Sequence, residues 1–181
     1  MSRISKTFLA LPAIAAAALA ASGDTTLAQQ DKYALVVPGG GLAFSDFRGY
    51  DKWENVAVSE TKDQMKAILG NPATIKAYKD GVPLNGKTFP DGVKFVKIEW
   101  SKKTNTAAPY FVEVPDQLQA LAFIEKDTKR FPKTHGWAYA VFNYDPQTKA
   151  FKPQGTGADC GYACHTAAAS RDYIFTAYPA R

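Results

Sequence analysis

The chain has 181 residues and a formal net charge of +5, from 22 Lys and Arg against 17 Asp and Glu. The lysines are scattered among acidic residues, so this charge argues against nucleic-acid binding and supports at most a weak preference for an anionic partner surface. Composition changes little after residue 30, and neither an internal repeat nor a long linker divides the chain. We therefore predict a single domain over residues 29–181, long enough to bury a hydrophobic core.

The first 28 residues have the pattern of a secretory signal peptide. Arg3 and Lys6 precede an alanine-rich apolar run over residues 8–21, and residues 26–28 offer a small-residue cleavage site. The run is too short to span a bilayer comfortably. We predict that residues 1–28 are removed, that the protein is exported to the periplasm, and that no membrane span remains; an uncleaved membrane anchor is the alternative.

The first half of the domain predicts one short helix between less regular segments. The aromatic spacing of residues 46–58 fits a docked helix or loop that leads into a strand. Residues 64–70 end at a Gly-Asn-Pro sequence that is typical of a turn or helix stop. Pro72 suits a first helical turn, so residues 73–79 are predicted to form a helix. Residues 83–92 are rich in Gly, Pro and Asn and are predicted to form an exposed loop.

The second half predicts several strands. Residues 93–100 are dense in β-branched and aromatic residues, and residues 110–114 are predicted to pair with them across a polar connection. Residues 116–131 are predicted to be helical, and residues 136–144 give the clearest strand signal. The helix prediction rests on the spacing of Leu118, Leu121, Ala122 and Glu125. The fold class is therefore α+β, a predominantly antiparallel β-sheet with a few short helices.

Lys97 lies in the strand predicted over residues 93–100. Alternation along a strand places it on the same face as Phe95 and Glu99, opposite Val96 and Ile98. Both faces are partly apolar, so Lys97 is a candidate for a pocket position. The alternative is a lysine whose stem lies along the sheet while its ammonium group reaches water.

The strongest chemical signal is the sequence Cys-Gly-Tyr-Ala-Cys-His over residues 160–165, the attachment pattern of a c-type haem. Each thiol can add to one haem vinyl group, and the following imidazole can bind the iron. We predict one covalent haem c held by thioethers from Cys160 and Cys164, with His165 as the axial iron ligand. The alternatives are a thioredoxin-like dithiol and half of a zinc site.

The sixth iron position decides between two functions. The candidates for a strong second axial ligand in the mature chain are Met65 and His135. If either binds the iron, the protein is a six-coordinate periplasmic electron-transfer cytochrome. Met65 is flanked by apolar residues that favour a core position, and His135 adjoins a predicted strand entrance. The sequence therefore favours an open iron site that binds small molecules.

With these features, the chain resembles the cytochrome P-460 family, which includes the cytochromes c′-beta. The resemblance extends from about residue 50 to residue 178. It rests on residues 50–53, 69–72, 91–97, 110–111, 126–131, 136–138 and 172–176, together with the late haem motif.

The resemblance implies an antiparallel β fold, a homodimer, a five-coordinate haem and a redox partner such as a soluble cytochrome. Lys97 matches the lysine that, in cytochromes P-460, is cross-linked to a haem meso carbon. Those members oxidise hydroxylamine, whereas c′-beta members bind nitric oxide under an apolar cap. The family's proton-relaying glutamate aligns with Ala122, which leaves Glu125 or Glu113 as substitutes. We expect one of these two activities, and whether the protein is an enzyme stays open.

Overall fold

A computed structural model describes residues 30–180 of the protein, and the predicted signal peptide lies outside them. Within this part of the chain, six strands form one antiparallel sheet in which each strand pairs with its sequence neighbours. The strands are β1 (Glu54–Glu60), β2 (Gln64–Gly70), β3 (Lys94–Thr104), β4 (Glu113–Lys126), β5 (Trp137–Asp145) and β6 (Ala150–Gln154). The predicted α+β fold with a predominantly antiparallel sheet is confirmed.

The helices within residues 30–180 are short. The longest of these, α1, begins where the Asn71 side chain accepts a hydrogen bond from the backbone N–H of Thr74, with Pro72 in the first turn. This confirms the helix predicted over residues 73–79. The helical elements are α1 (Pro72–Lys79), α2 (Tyr162–His165) and 3-10 turns at Lys32–Ala34, Phe44–Phe47, Tyr50–Lys52, Pro132–Thr134 and Thr166–Arg171. No helix within residues 30–180 is long and apolar enough to cross a membrane.

The helix predicted over residues 116–131 is wrong, because most of these residues lie in β4. Leu121 packs into the core on one side of the sheet, while Ala122 lines a cavity on the other side. A strand that is covered on both faces carries apolar residues at successive positions. Periodicity alone does not distinguish such a strand from a buried helix.

The other predictions for secondary structure are largely confirmed. The strands predicted over residues 93–100 and 136–144 are β3 and β5. Residues 46–53 include the end of one 3-10 turn and the whole of another, and they lead into β1, which contains residues 54–58. The strand predicted at residues 110–114 is right only at its end, since β4 begins at Glu113. Tyr110 and Phe111 are instead exposed, by 73% and 77%, in the connection between β3 and β4.

The sheet has two differently covered faces. On the first, which we call the N-terminal face, Phe44 and Phe47 pack against Leu121, Phe123 and Phe142. The opposite face, which we call the cavity face, carries Phe95, Ile124, Trp137 and Tyr139 among its apolar residues. It is covered by α1, the loop at residues 83–92 and the C-terminal segment that follows the haem motif. The candidate site lies on the cavity face.

Candidate functional site

A cavity of about 350 Å³ separates the cavity face from the C-terminal segment. Its volume falls within the range of roughly 300–1,000 Å³ that is usual for small-molecule and cofactor sites. Strands β2 to β5 form one wall, and the haem motif with the residues after it forms the other. The side chains of both walls include Lys66, Ile68, Phe95, Lys97, Ala122, Ile124, Tyr139, Cys160, Cys164, His165, Ile174, Phe175 and Thr176.

Strand register determines which side chains meet on the sheet wall. Lys97 of β3 lies directly between Ile68 of β2 and Ala122 of β4. Two residues further along β3, Glu99 pairs with Lys66 of β2. Because side chains alternate along a strand, both rows project from the same face of the sheet. The wall therefore combines apolar residues with a small charged group.

The haem motif forms the opposite wall, within and just before the single turn of α2. Cys160 and Cys164 are free thiols, and the Sγ of Cys160 lies 3.8 Å from the carbonyl oxygen of Tyr139. Burial raises the pKa of the Cys160 thiol, and the nearby Asp159 adds to this effect. Gly161 packs directly on Tyr139, since a Cβ at this position would lie 2.8 Å from the Tyr139 side chain. The close approach fixes the motif against β5.

His165 is oriented by a hydrogen bond to the backbone. Its Nδ1 lies 2.6 Å from the carbonyl oxygen of Tyr173. A carbonyl only accepts, so Nδ1 carries the proton and the lone pair of Nε2 is left for a metal. Burial lowers the pKa of His165, the bond to Tyr173 opposes this, and the positive charge of Lys97 lowers it further. The neutral imidazole is the form that binds iron.

One buried polar atom of a residue that lines the cavity has no partner among the described residues. The Oη of Tyr139 is buried without a hydrogen bond, and burial strongly raises the pKa of this phenol. This hydroxyl has almost no accessible surface and does not open into the cavity, so the fit to a cofactor rests on the groups that line the cavity. Two free thiols, a neutral imidazole and aromatic walls fit a covalently attached haem.

The two alternatives for the motif do not fit this arrangement. The motif follows the last strand of an antiparallel sheet, whereas a thioredoxin-like dithiol belongs to a βαβ unit. Within residues 30–180, no group of three or more His, Cys, Asp or Glu side chains is arranged to hold a metal ion. The described residues therefore supply no ligands beside the motif that would complete a structural zinc site.

Neither candidate for a sixth ligand lines the cavity. Met65 neighbours Lys66 on β2, and because side chains alternate it projects from the N-terminal face. The ring of His135 stacks on Tyr173 with centroids 5.0 Å apart. It lines a separate open cleft of about 730 Å³, which the two cysteines do not line.

Lys97 is held by a carboxylate that the sequence analysis did not single out. The Nζ of Lys97 lies 2.6 Å from an Oε1 of Glu99, and the two side chains are 39% and 15% exposed. In the sequence, the alternation along β3 places Glu99 on the same face as Lys97, and this is the pattern that indicates the ion pair.

The carboxylates proposed as substitutes for the family's glutamate lie elsewhere. Glu125 projects from the N-terminal face and pairs with Lys94 and Arg130. Glu113 pairs with Lys102 near the far end of the hairpin that joins β3 and β4. Neither residue lines the cavity. The residue of β4 that pairs with Lys97 is Ala122, which lines the cavity.

Fold and site together define a small haem-binding protein built on an antiparallel sheet. A family model described as Cytochrome P460 matches residues 47–176, most of the chain. The chain therefore belongs to the cytochrome P460 family, and the resemblance noted from the sequence is confirmed. Membership implies that the protein binds haem and is a haem c cytochrome. No curated protein matches the sequence.

Proposed function

We propose that the protein is an exported mono-haem c-type cytochrome with an open iron site that handles a small nitrogen compound. Cys160 and Cys164 form the thioethers, and His165 is the axial ligand. The observation that carries this proposal is the position of Met65 and His135, neither of which lines the cavity around His165. When bound, the haem supplies an iron that binds small molecules and exchanges electrons.

The preferred substrate is hydroxylamine, and Lys97 is the reason. This lysine lines the cavity, and the family resemblance matches it to the cross-linking lysine of hydroxylamine-oxidising members. Conversion of two hydroxylamine molecules to nitrous oxide and water releases four electrons and four protons. The electrons would pass to a redox partner such as a soluble cytochrome. The protons need an acceptor, and the candidate is Glu99, which does not itself line the cavity but whose carboxylate lies 2.6 Å from the Nζ of the cavity-lining Lys97.

Nitric oxide binding is the second candidate, and a specific feature of the cavity favours it. Ala122 stands where the family's proton-relaying glutamate aligns, and Ile68 and Ile124 make the nearby wall apolar. An apolar wall suits an uncharged diatomic gas. Under this alternative Lys97 is not linked to the haem and the protein does not turn over hydroxylamine.

Steady-state assay of the holoprotein with hydroxylamine and an artificial electron acceptor tests the choice. Turnover that Lys97→Ala removes, and that Lys102→Ala on the same strand leaves intact, supports hydroxylamine oxidation. Peptide mapping shows whether the Lys97 peptide travels with the haem peptide. Tight nitric oxide binding without turnover supports the second candidate. A six-coordinate, low-spin spectrum in both oxidation states would overturn the open site and favour electron transfer.

The cellular setting is part of the same proposal. The pattern of residues 1–28 supports export, and covalent haem attachment of this kind takes place outside the bacterial cytoplasm. A homodimer is proposed from the family resemblance. Mass spectrometry of the periplasmic fraction, with the N-terminus mapped near residue 29, tests export, and light scattering of the holoprotein tests the dimer.

A further inference from the structure

A buried ion pair joins the end of β4 to the C-terminal segment. The Nζ of Lys126 lies 2.9 Å from both carboxylate oxygens of Asp172, and the two side chains are only 4% and 5% exposed. The carboxylate also accepts hydrogen bonds from the backbone N–H of Phe89 and from the indole Nε1 of Trp137. Asp172 therefore ties three separate parts of the fold to the residues that follow the haem motif.

The ion pair lies beside an unusual stretch of backbone. Asp172 and Tyr173 have φ angles of 50° and 64°, in the left-handed region that residues other than glycine rarely adopt. Two such residues in succession persist only where the surroundings hold them. Those surroundings are the four contacts on the Asp172 carboxylate, together with the backbone hydrogen bonds that the N–H groups of Asp172 and Tyr173 donate to the carbonyl oxygens of Ala169 and Ala168.

The left-handed turn has one direct consequence at the site. It presents the carbonyl oxygen of Tyr173 to Nδ1 of His165 at 2.6 Å. Such a hydrogen bond fixes the ring orientation of a metal-binding histidine and increases its electron donation to the metal. The residue that bonds to the imidazole of His165, Tyr173, therefore directly follows Asp172 of the ion pair.

Global stability alone does not account well for this pair. Replacement of a buried ion pair by apolar residues of similar volume is often neutral or stabilising, because two charges lose their hydration on folding. A role in fixing one local geometry explains both the burial of the pair and its position next to the turn.

We propose that Lys126 and Asp172 are positioning residues for the axial histidine. They hold the turn at residues 172–173 so that Tyr173 accepts the Nδ1 proton of His165, and they thereby adjust the electron donation of His165 to the haem iron. This inference rests on the part of the proposed function that assigns His165 as the axial ligand. It does not depend on whether hydroxylamine or nitric oxide is bound.

The test compares Asp172→Asn with Glu125→Gln in the holoprotein. Asn tolerates the left-handed conformation but lacks the charge. Glu125 is a buried carboxylate that pairs with the partly buried Lys94 on the N-terminal face. The readouts are the Fe–His stretching band of the ferrous protein by resonance Raman and the midpoint potential by spectroelectrochemistry. We expect Asp172→Asn to lower the stretching frequency and raise the midpoint potential. Glu125→Gln should change neither.

A double variant keeps the test decisive if Asp172→Asn does not fold. Lys126→Met combined with Asp172→Asn removes both charges and leaves no unpaired ion in the interior. A folded double variant with the wild-type stretching band and potential would overturn the positioning role. A wild-type protein whose Fe–His band survives His165→Ala would instead overturn the assignment of His165 itself. A wild-type protein that lacks the band and has a six-coordinate, low-spin spectrum would overturn the open iron site, and the midpoint potentials of the same variants would then decide the positioning role.

Discussion

The two faces of the sheet use the same strands for different purposes. On the N-terminal face, Phe47 and Phe123 stack with ring centroids 4.2 Å apart, and Phe44 packs edge-on against Phe123 at 4.9 Å. On the cavity face, Ala122 and Lys97 leave a cavity of about 350 Å³. Adjacent residues of β4 thus serve a closed core and an open site. The contrast indicates that stability and chemistry are separable along a single strand.

The largest loss of stability is expected from a substitution in the core of the N-terminal face. Phe123→Ala removes a fully buried ring that contacts Phe44, Phe47 and Phe142. The free energy of unfolding should fall by about 3–5 kcal/mol, measured by denaturant titration of the holoprotein. The neighbouring change Ala122→Ser should lower it by less than about 1 kcal/mol, because its side chain faces the cavity. Equal losses in the two variants would contradict the separation of the faces.

The fold could be predicted from the sequence wherever a strand shows one dominant pattern. Residues 136–144 alternate large and small side chains and form β5 as predicted. The sequence of β4 predicts a helix because Leu121 and Ala122 are successive apolar residues, and both are covered because the strand has contacts on the two sides of the sheet. The choice between strand and helix for β4 depends on its pairing with β3 and β5. A local sequence pattern does not show this pairing with other segments of the chain.

The candidate site was predictable only as far as its chemistry is local. The haem motif places Cys160, Cys164 and His165 within one turn, so their proximity follows from the sequence. The contacts of Asp172 with Lys126 and Trp137 span 46 and 35 residues. They depend on how the C-terminal segment docks on the sheet, which no spacing rule gives. The same holds for the unpaired hydroxyl of Tyr139.

A smaller effect should appear on the cavity face without a matching loss of stability. Glu99→Gln removes the carboxylate beside Lys97, and turnover of hydroxylamine should fall by about 100-fold, the lower end of the usual range for a general base, if this group accepts a proton. The free energy of unfolding should change by less than about 1 kcal/mol, since the pair is partly exposed. Steady-state kinetics and denaturant titration give the two values.

The matched control for Glu99 lies on the same hairpin. Glu113 forms a pair of similar length with Lys102 at 2.7 Å, and Lys102, unlike Lys97, does not line the cavity. Glu113→Gln should therefore leave turnover unchanged. If the two variants lose turnover to the same degree, the effect belongs to the hairpin as a whole and Glu99 has no special part in the site.

The smallest effect concerns pH and returns to the N-terminal face. Burial raises the pKa of Glu125 above its ordinary value of 4.5, although Lys94 and Arg130 oppose the shift. A raised pKa in the folded state means that the carboxyl group contributes most to stability when it is protonated, and that this contribution is lost as the pH rises through the folded-state pKa. Compared with Glu125→Gln, the wild-type protein should therefore lose melting temperature between pH 4 and pH 7, as measured by calorimetry. A constant difference between the two proteins across this range would show that the carboxylate is fully compensated by its two cationic partners.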